Sequence, residues 1–234
     1  EGAGGYLTDR TTVEKAEKMK VGTCLNPLHT ALAVYGCLLG YTSIAAEMGD
    51  ADLKALVEHI AAESLPVVED PGILSPRAFI DEVLHERFPN PAIPDTPQRI
   101  AADTSQKLPV RYGGTLRRYA RQSEQALAGL EFAPLVFAGW CRYLLGVDDR
   151  GNAMPVSPDP MLPQLQAHLK GIEVGRPDSL AGQLRPILSN AALFGVDLYA
   201  AGLGERTEEM FRDMLAGPGA VRATLHRNCA CKQP

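Results

Sequence analysis

Several things are scarce in this sequence. Basic residues do not exceed acidic ones: 23 Lys and Arg face 28 Asp and Glu in 234 residues, a formal net charge of -5. Without a basic excess the chain has little to neutralise a run of phosphates, so no nucleic-acid partner is expected. No uninterrupted apolar run approaches the roughly 20 residues that cross a bilayer, so no membrane partner is expected either. The opening EGAGGYLTDR has neither the basic start nor the apolar middle of a secretory leader, and it lacks an initiator Met, as a piece of a longer chain would. Five scattered cysteines, an odd number, do not make a disulfide framework; a reducing cytoplasm is the expected home. Alternating strand patterns hardly occur, with LPVVED around Val67 the best of them. Also missing is a strand leading into G-x-G-x-x-G with an acidic residue further on, the fingerprint of a dinucleotide-binding Rossmann half.

What the chain has in quantity is helical periodicity. Pro27 to Leu39 reads as a helix capped by Asn26, with Pro27 in its first turn and Gly40 as its stop. Further helices are expected over Asp50 to Ser64, Pro76 to Arg87 behind Ser75, Pro97 to Leu108 behind Thr96, Leu116 to Leu127, Ala133 to Leu145, Asp159 to Leu169, Asp178 to Asn190 with a kink at Pro186, and Glu205 to Leu215. The total is about nine or ten helices in an all-α domain. TDRTTVEKAEKMK reads as a short helix or a linker leading in, and the loops are rich in Pro and Gly without repeats.

Three places carry groups able to do chemistry. In KMKVGTCLNPLHTALAVYGCLLGY, Asn26 and His29 share a helix face at the mouth of an apolar run, and Lys20 lies six residues before Asn26. A helix N-terminus favours an oxygen gaining negative charge. A lysine partly desolvated there has its pKa drawn toward neutrality and becomes a proton acceptor. The same residues also read as an N-cap, a core histidine and a solvated lysine. In TPQRIAADTSQKLP, Arg99, Asp103 and Lys107 fall at i, i+4 and i+8: either a solvated ion-pair ladder or two fixed donors for hydroxyl or carboxylate oxygens. In the tail HRNCACK, His226, Cys229 and Cys231 fit no standard zinc spacing, so no metal is expected and the segment reads as a frayed end.

KMKVGTCLNPLHTALAVYGCLLGY, RIAADTSQKLP and RYLLGVDDRG, in that order, resemble the C-terminal domain of the long-chain mannitol dehydrogenase family, which includes fructuronate reductases. The resemblance implies an all-α, multi-helical domain like the C-terminal domain of 6-phosphogluconate dehydrogenase. It also implies a charged lead-in at 1–20, a substrate-binding and catalytic domain at 21–234, and a partner Rossmann domain, not seen in this chain, that binds NAD or NADP. The implied activity is metal-free oxidation of a sugar acid or polyol, with D-mannonate and D-fructuronate as the first pair and mannitol-type hexitols as the alternative; a non-catalytic helical binding module is a further one. By the same resemblance Lys20 is the general base, Asn26 holds the reacting oxygen, His29 orients substrate, and Arg99 and Lys107 grip the rest of it. One departure stands out: in mannitol dehydrogenases the lysine sits five residues before the asparagine, where this chain has Val21. That implies a one-residue insertion in a loop before Pro27, with Lys18 as the reserve base. A chain holding only this half is expected to be inactive alone.

Overall fold

The run from Pro27 to Leu38 has no polar face, and it folds as a helix from which water is excluded on every side. A computed structural model describes residues 9–230. In it this helix is α2 (Asn26–Leu39), closed by Gly40 at φ +82°, a backbone that glycine adopts without strain. The chain reaches it through α1 (Arg10–Glu17) and a π-helical stretch, Lys18–Leu25, so the lead-in is helix from Arg10 on. A boundary between residues 20 and 21 would fall inside that stretch.

After α2 come α3 (Ile44–Glu47), α4 (Ala51–Ser64), α5 (Pro76–Glu82, continued as a π turn over Val83–Arg87), α6 (Pro97–Ala101), α7 (Thr104–Arg111), α8 (Gly113–Gln122) and α9 (Glu124–Ala128). The remainder is α10 (Phe132–Tyr143), α11 (Leu162–His168), α12 (Arg185–Leu188), α13 (Ala191–Phe194), α14 (Gly204–Met214) and α15 (Ala220–Cys229). No strand occurs among the described residues beyond two isolated bridges, which agrees with the all-α expectation.

The core is built on α2 and α10, every residue of the latter being buried. They approach closely because position 139 is glycine: a methyl there would come 2.7 Å from the Tyr35 ring. The Tyr35 hydroxyl donates to the Leu135 carbonyl at 2.8 Å, which satisfies that buried polar group. Glu63 of α4 caps α10 from outside the helix, accepting from the N–H groups of Glu131 (2.6 Å), Phe132 (2.9 Å) and Ala133 (3.1 Å). α6 packs on α2, and α14 and α15 close the far side against α10 and α4.

Several expected helices are shorter than their periodicity. Leu116 to Leu127 breaks at Ser123, whose extended backbone lets its side chain cap α9 through the Ala126 N–H. Asp178 to Asn190 does not form one helix: it holds a 3-10 turn (Pro177–Ser179), Gly182 at φ +91° and the four-residue α12. LPVVED holds a 3-10 turn, Leu65–Val67, in place of a strand. Fifteen α-helical segments result among the described residues, more than the nine or ten expected, because such breaks divide long periodic runs.

The tail is the opposite error. Its described part is no frayed end: α15 runs to Cys229, which is buried. Arg222 donates to Asp50 at 2.8 Å and to Asp52 at 3.0 Å, and His226 Nδ1 lies 2.8 Å from Asp52. Asp149 caps α15 through the Val221 N–H at 2.8 Å. Among the described residues no group of three or more His, Cys, Asp and Glu side chains could hold a metal; Cys231 lies outside the described residues. RYLLGVDDRG is thereby a structural motif. Besides the Asp149 cap, fully buried Arg142 donates to the carbonyls of Met214 (3.2 Å), Val147 (2.6 Å) and Asp148 (3.3 Å).

Candidate active site

Asn26 does not begin a helix. Its backbone is helical (φ −69°, ψ −32°), its N–H bonds the Val21 carbonyl five residues back, and its side chain makes no cap. Pro27 brings no N–H, so the turn before it can widen without losing that bond. The stretch between Lys20 and Asn26 is π-helical and not a loop, and π turns are frequent at functional sites. The correction is electrostatic too. The N–H groups ahead of α2 are engaged, so there is no exposed helix N-terminus to receive an oxyanion. The Asn26 side chain is instead left without a hydrogen-bond partner among the described residues.

Half-buried Lys20 sends its Nζ over the Phe79 ring of α5, 5.4 Å from the centroid, and hydrogen-bonds neither Asn26 nor His29. Lys18 is exposed. His29 sits one turn past Asn26 and is buried, with its ring 5.1 Å from that of Phe88. Its Nε2 lies 3.3 Å from the Asp95 carboxylate, short of a hydrogen-bond geometry. Burial pushes its pKa down to about 4; Asp95 opposes this, and Arg111, Arg87 and Arg99 add to it. Burial and three guanidiniums outweigh one carboxylate, so the imidazole is neutral at pH 7.

Arg99 and Lys107 do not share a helix face. α6 stops at Ala101, Asp103 takes a left-handed backbone (φ +52°) and α7 starts afresh. The cause lies far along the chain. Pro158 accepts from the Asp103 N–H at 2.9 Å, and Asp159 accepts from the Ser105 N–H at 2.8 Å and its hydroxyl at 2.5 Å. Arg99, largely exposed, donates to Asp95. Lys107 donates to the Ile100 carbonyl at 3.0 Å and also to that of Ala102, closing the end of α6. Burial, then the charge of Arg111, draws the Lys107 pKa down.

Two groups in this cluster escaped the sequence reading. Asp95 joins His29 to Arg99 from the Pro-rich stretch before α6. Arg111 of α7 donates to the Thr30 hydroxyl at 2.6 Å, and Thr30 donates to the Asn26 carbonyl at 2.9 Å. A small hollow walled by Ile44, Arg87, Phe88, Ile93 and Asp95 opens beside His29. A larger hollow, about 510 Å³ between α8–α9 and residues 196–202, holds none of these groups. What the cluster offers is a neutral imidazole, an unpartnered amide and several cations around one carboxylate: donors for hydroxyl and anionic oxygens.

Comparison with known proteins bears on this arrangement. The family model "Mannitol dehydrogenase C-terminal domain" matches residues 12–209. A D-mannonate oxidoreductase of Thermotoga maritima is 57% identical over 94% of this chain and 41% of its own length. A mannitol 2-dehydrogenase of Emericella nidulans is 36% identical over 82% of this chain and 36% of its own length. Among solved structures, a ternary complex of Pseudomonas fluorescens mannitol 2-dehydrogenase with NAD and D-mannitol superposes with a TM-score of 0.77 at 27% identity, over 97% of this chain and 42% of that one. The chain thus spans about two fifths of the length of such relatives. With the model matched over most of its residues, the chain belongs to the mannitol dehydrogenase C-terminal domain family.

Proposed function

We propose that this chain is the substrate-side half of an NAD(P)-dependent oxidoreductase that interconverts D-mannonate and D-fructuronate. The observation that carries the reading is the 57% identity to a D-mannonate oxidoreductase across nearly the whole chain. Among the described residues there is no βαβ unit with a phosphate-cradling turn, and the reading gives the dinucleotide mainly to a partner domain. NAD, named in the Pseudomonas fluorescens complex, is the first choice over NADP, and a Rossmann domain would be the chain's partner. The redox chemistry would be supplied by the dinucleotide that this partner holds.

This chain's residues handle the proton and the substrate. Lys20 takes the carbinol proton in oxidation and returns it in reduction. Asn26 donates its amide hydrogen to the substrate oxygen as charge develops on it. Neutral His29 offers one ring donor and one acceptor to the neighbouring hydroxyl. Arg99 and Lys107 give their remaining N–H groups to the other hydroxyls of the substrate. Four described cysteines are free and buried, as suits a protein of the reducing cytoplasm.

The test is a spectrophotometric assay of reduced nicotinamide with the full-length protein carrying this chain, offered D-mannonate, D-fructuronate, D-mannitol and D-fructose. Turnover of the acid pair is expected. Turnover of the hexitol pair alone would favour mannitol 2-dehydrogenase chemistry, the second reading, which rests on the 36% identical relative. No turnover of any of the four would overturn both.

A further inference from the structure

We propose that Arg111 grips the carboxylate of a sugar-acid substrate and so selects acids over polyols. This deepens the reading above and rests on it. Arg87, Arg99 and Arg111 act on His29, Lys107 stands close to Arg99 and Arg111, and three of these four are already paired or exposed. Arg99 already pairs with the Asp95 carboxylate and Lys107 already donates to the carbonyls of Ile100 and Ala102, which leaves them only their remaining N–H groups for substrate hydroxyls, and Arg87 is an exposed residue. Arg111 differs from all three. It is partly buried, it has no carboxylate in ion-pair range among the described residues, and its one hydrogen-bond partner is the neutral hydroxyl of Thr30 at 2.6 Å.

That single bond is also oriented. Thr30 has one hydroxyl proton, and it goes to the Asn26 carbonyl at 2.9 Å. The hydroxyl must therefore accept from Arg111, which uses one of five guanidinium N–H donors and leaves the others to a ligand. Tyr112 stitches the same helix end to the same turn, donating to the Pro27 carbonyl at 2.7 Å. Arg111 is thus held on both sides of the Asn26 turn, on a rigid element, with its charge felt at His29 and at Lys107.

A guanidinium withdrawn from water without a counter-ion is costly, and burial draws its pKa down. A hexonate carboxylate would offset that cost with two parallel charged hydrogen bonds; a hexitol hydroxyl cannot. A purely structural Arg111, holding Thr30 and hence Asn26, would affect charged and neutral ligands alike, and this separates the two roles.

The experiment is calorimetric binding of D-mannonate and its neutral isostere D-mannonamide to the full-length protein, as wild type, Arg111→Met and Arg111→Lys. Wild type should bind the acid about 30-fold or more tightly than the amide, and Arg111→Met should bind the acid no better than the amide. Arg111→Lys keeps charge without the fork; it should lose about fivefold or more for the acid and little for the amide, and it decides the matter if Arg111→Met does not fold. Equal affinity of wild type for both ligands, or intact discrimination in the variants, would overturn the assignment to Arg111 while leaving the oxidoreductase reading standing. A wild type that neither binds nor turns over D-mannonate would instead overturn that reading.

Discussion

His29 Nε2 lies 3.3 Å from the Asp95 carboxylate, which also holds Arg99. One acid therefore serves two groups of the candidate site, each from a different helix. The Ile44 N–H of α3 fastens the Asp95 backbone in turn, bonding its carbonyl at 3.0 Å. The imidazole stays neutral beside a carboxylate because burial and three arginines work against its protonation.

Asp95→Asn should raise KM for the sugar substrate by about tenfold and lower kcat less, since it frees Arg99 and loosens His29 without touching the groups that exchange the proton. Steady-state kinetics of the full-length protein provide the check. An unchanged KM would return the Asp95–Arg99 pair to the status of a surface ion pair worth well under 1 kcal/mol.

Lys20→Ala should cut kcat by about a hundredfold or more while leaving reduced-nicotinamide binding intact, as expected when a general base is removed. Lys18→Ala, at an exposed position one π-helical residue pair earlier, should leave kcat within a factor of about two. Full activity in the first variant together with a large loss in the second would transfer the base to Lys18.

Much of the fold was legible because α2 and α10 carry their burial in their composition and Gly40 announces the first one's end. The start of α2 was not legible. Asn26-Pro27 is as good a cap signal as any, and only the bond from Asn26 to Val21 reveals a continuous helix. Breaks and ends set by distant groups were equally hidden. Asp159 starts α7 from more than fifty positions away, and Asp50 and Asp52 pin α15 from the other end of the chain. The site followed the same rule. Asn26 and His29 share a face through local spacing, whereas Asp95 and Arg111 reach them only by tertiary packing.

Arg99→Ala and Lys107→Met should part company in stability. Arg99 is largely exposed, so its loss should change unfolding free energy by no more than about 0.5 kcal/mol while weakening substrate binding. Lys107 satisfies the carbonyls that end α6, and removing it should cost about 1–2 kcal/mol in addition to affinity. Urea unfolding of the two variants measures the difference. Equal stability would mean that water replaces the Lys107 ammonium at no cost.

Glu47 supplies a pH signature. Both its carboxyl oxygens are buried without a hydrogen-bond partner, wedged between α2 and α6: a methyl on Gly36 would come 2.0 Å from Oε1 and 2.9 Å from the Pro97 ring. Burial, helped by the nearby charge of Asp50, pushes its pKa up to about 9 from 4.5. The folded state therefore keeps a proton that the unfolded state releases above about pH 4.5. Below that pH the group favours neither state; as pH rises, the unfolded state gains about 1.4 kcal/mol per unit from it, until the folded carboxyl also ionises near pH 9 and the loss levels off. Glu47→Gln removes the titration but keeps the shape. The stability of wild type relative to Glu47→Gln should thus decline steadily from about pH 5 to about pH 9 in urea unfolding and then flatten. Parallel curves across that window would mean that the carboxyl is already ionised inside the fold, and that water reaches the seam between the helix bearing His29 and the helix bearing Arg99.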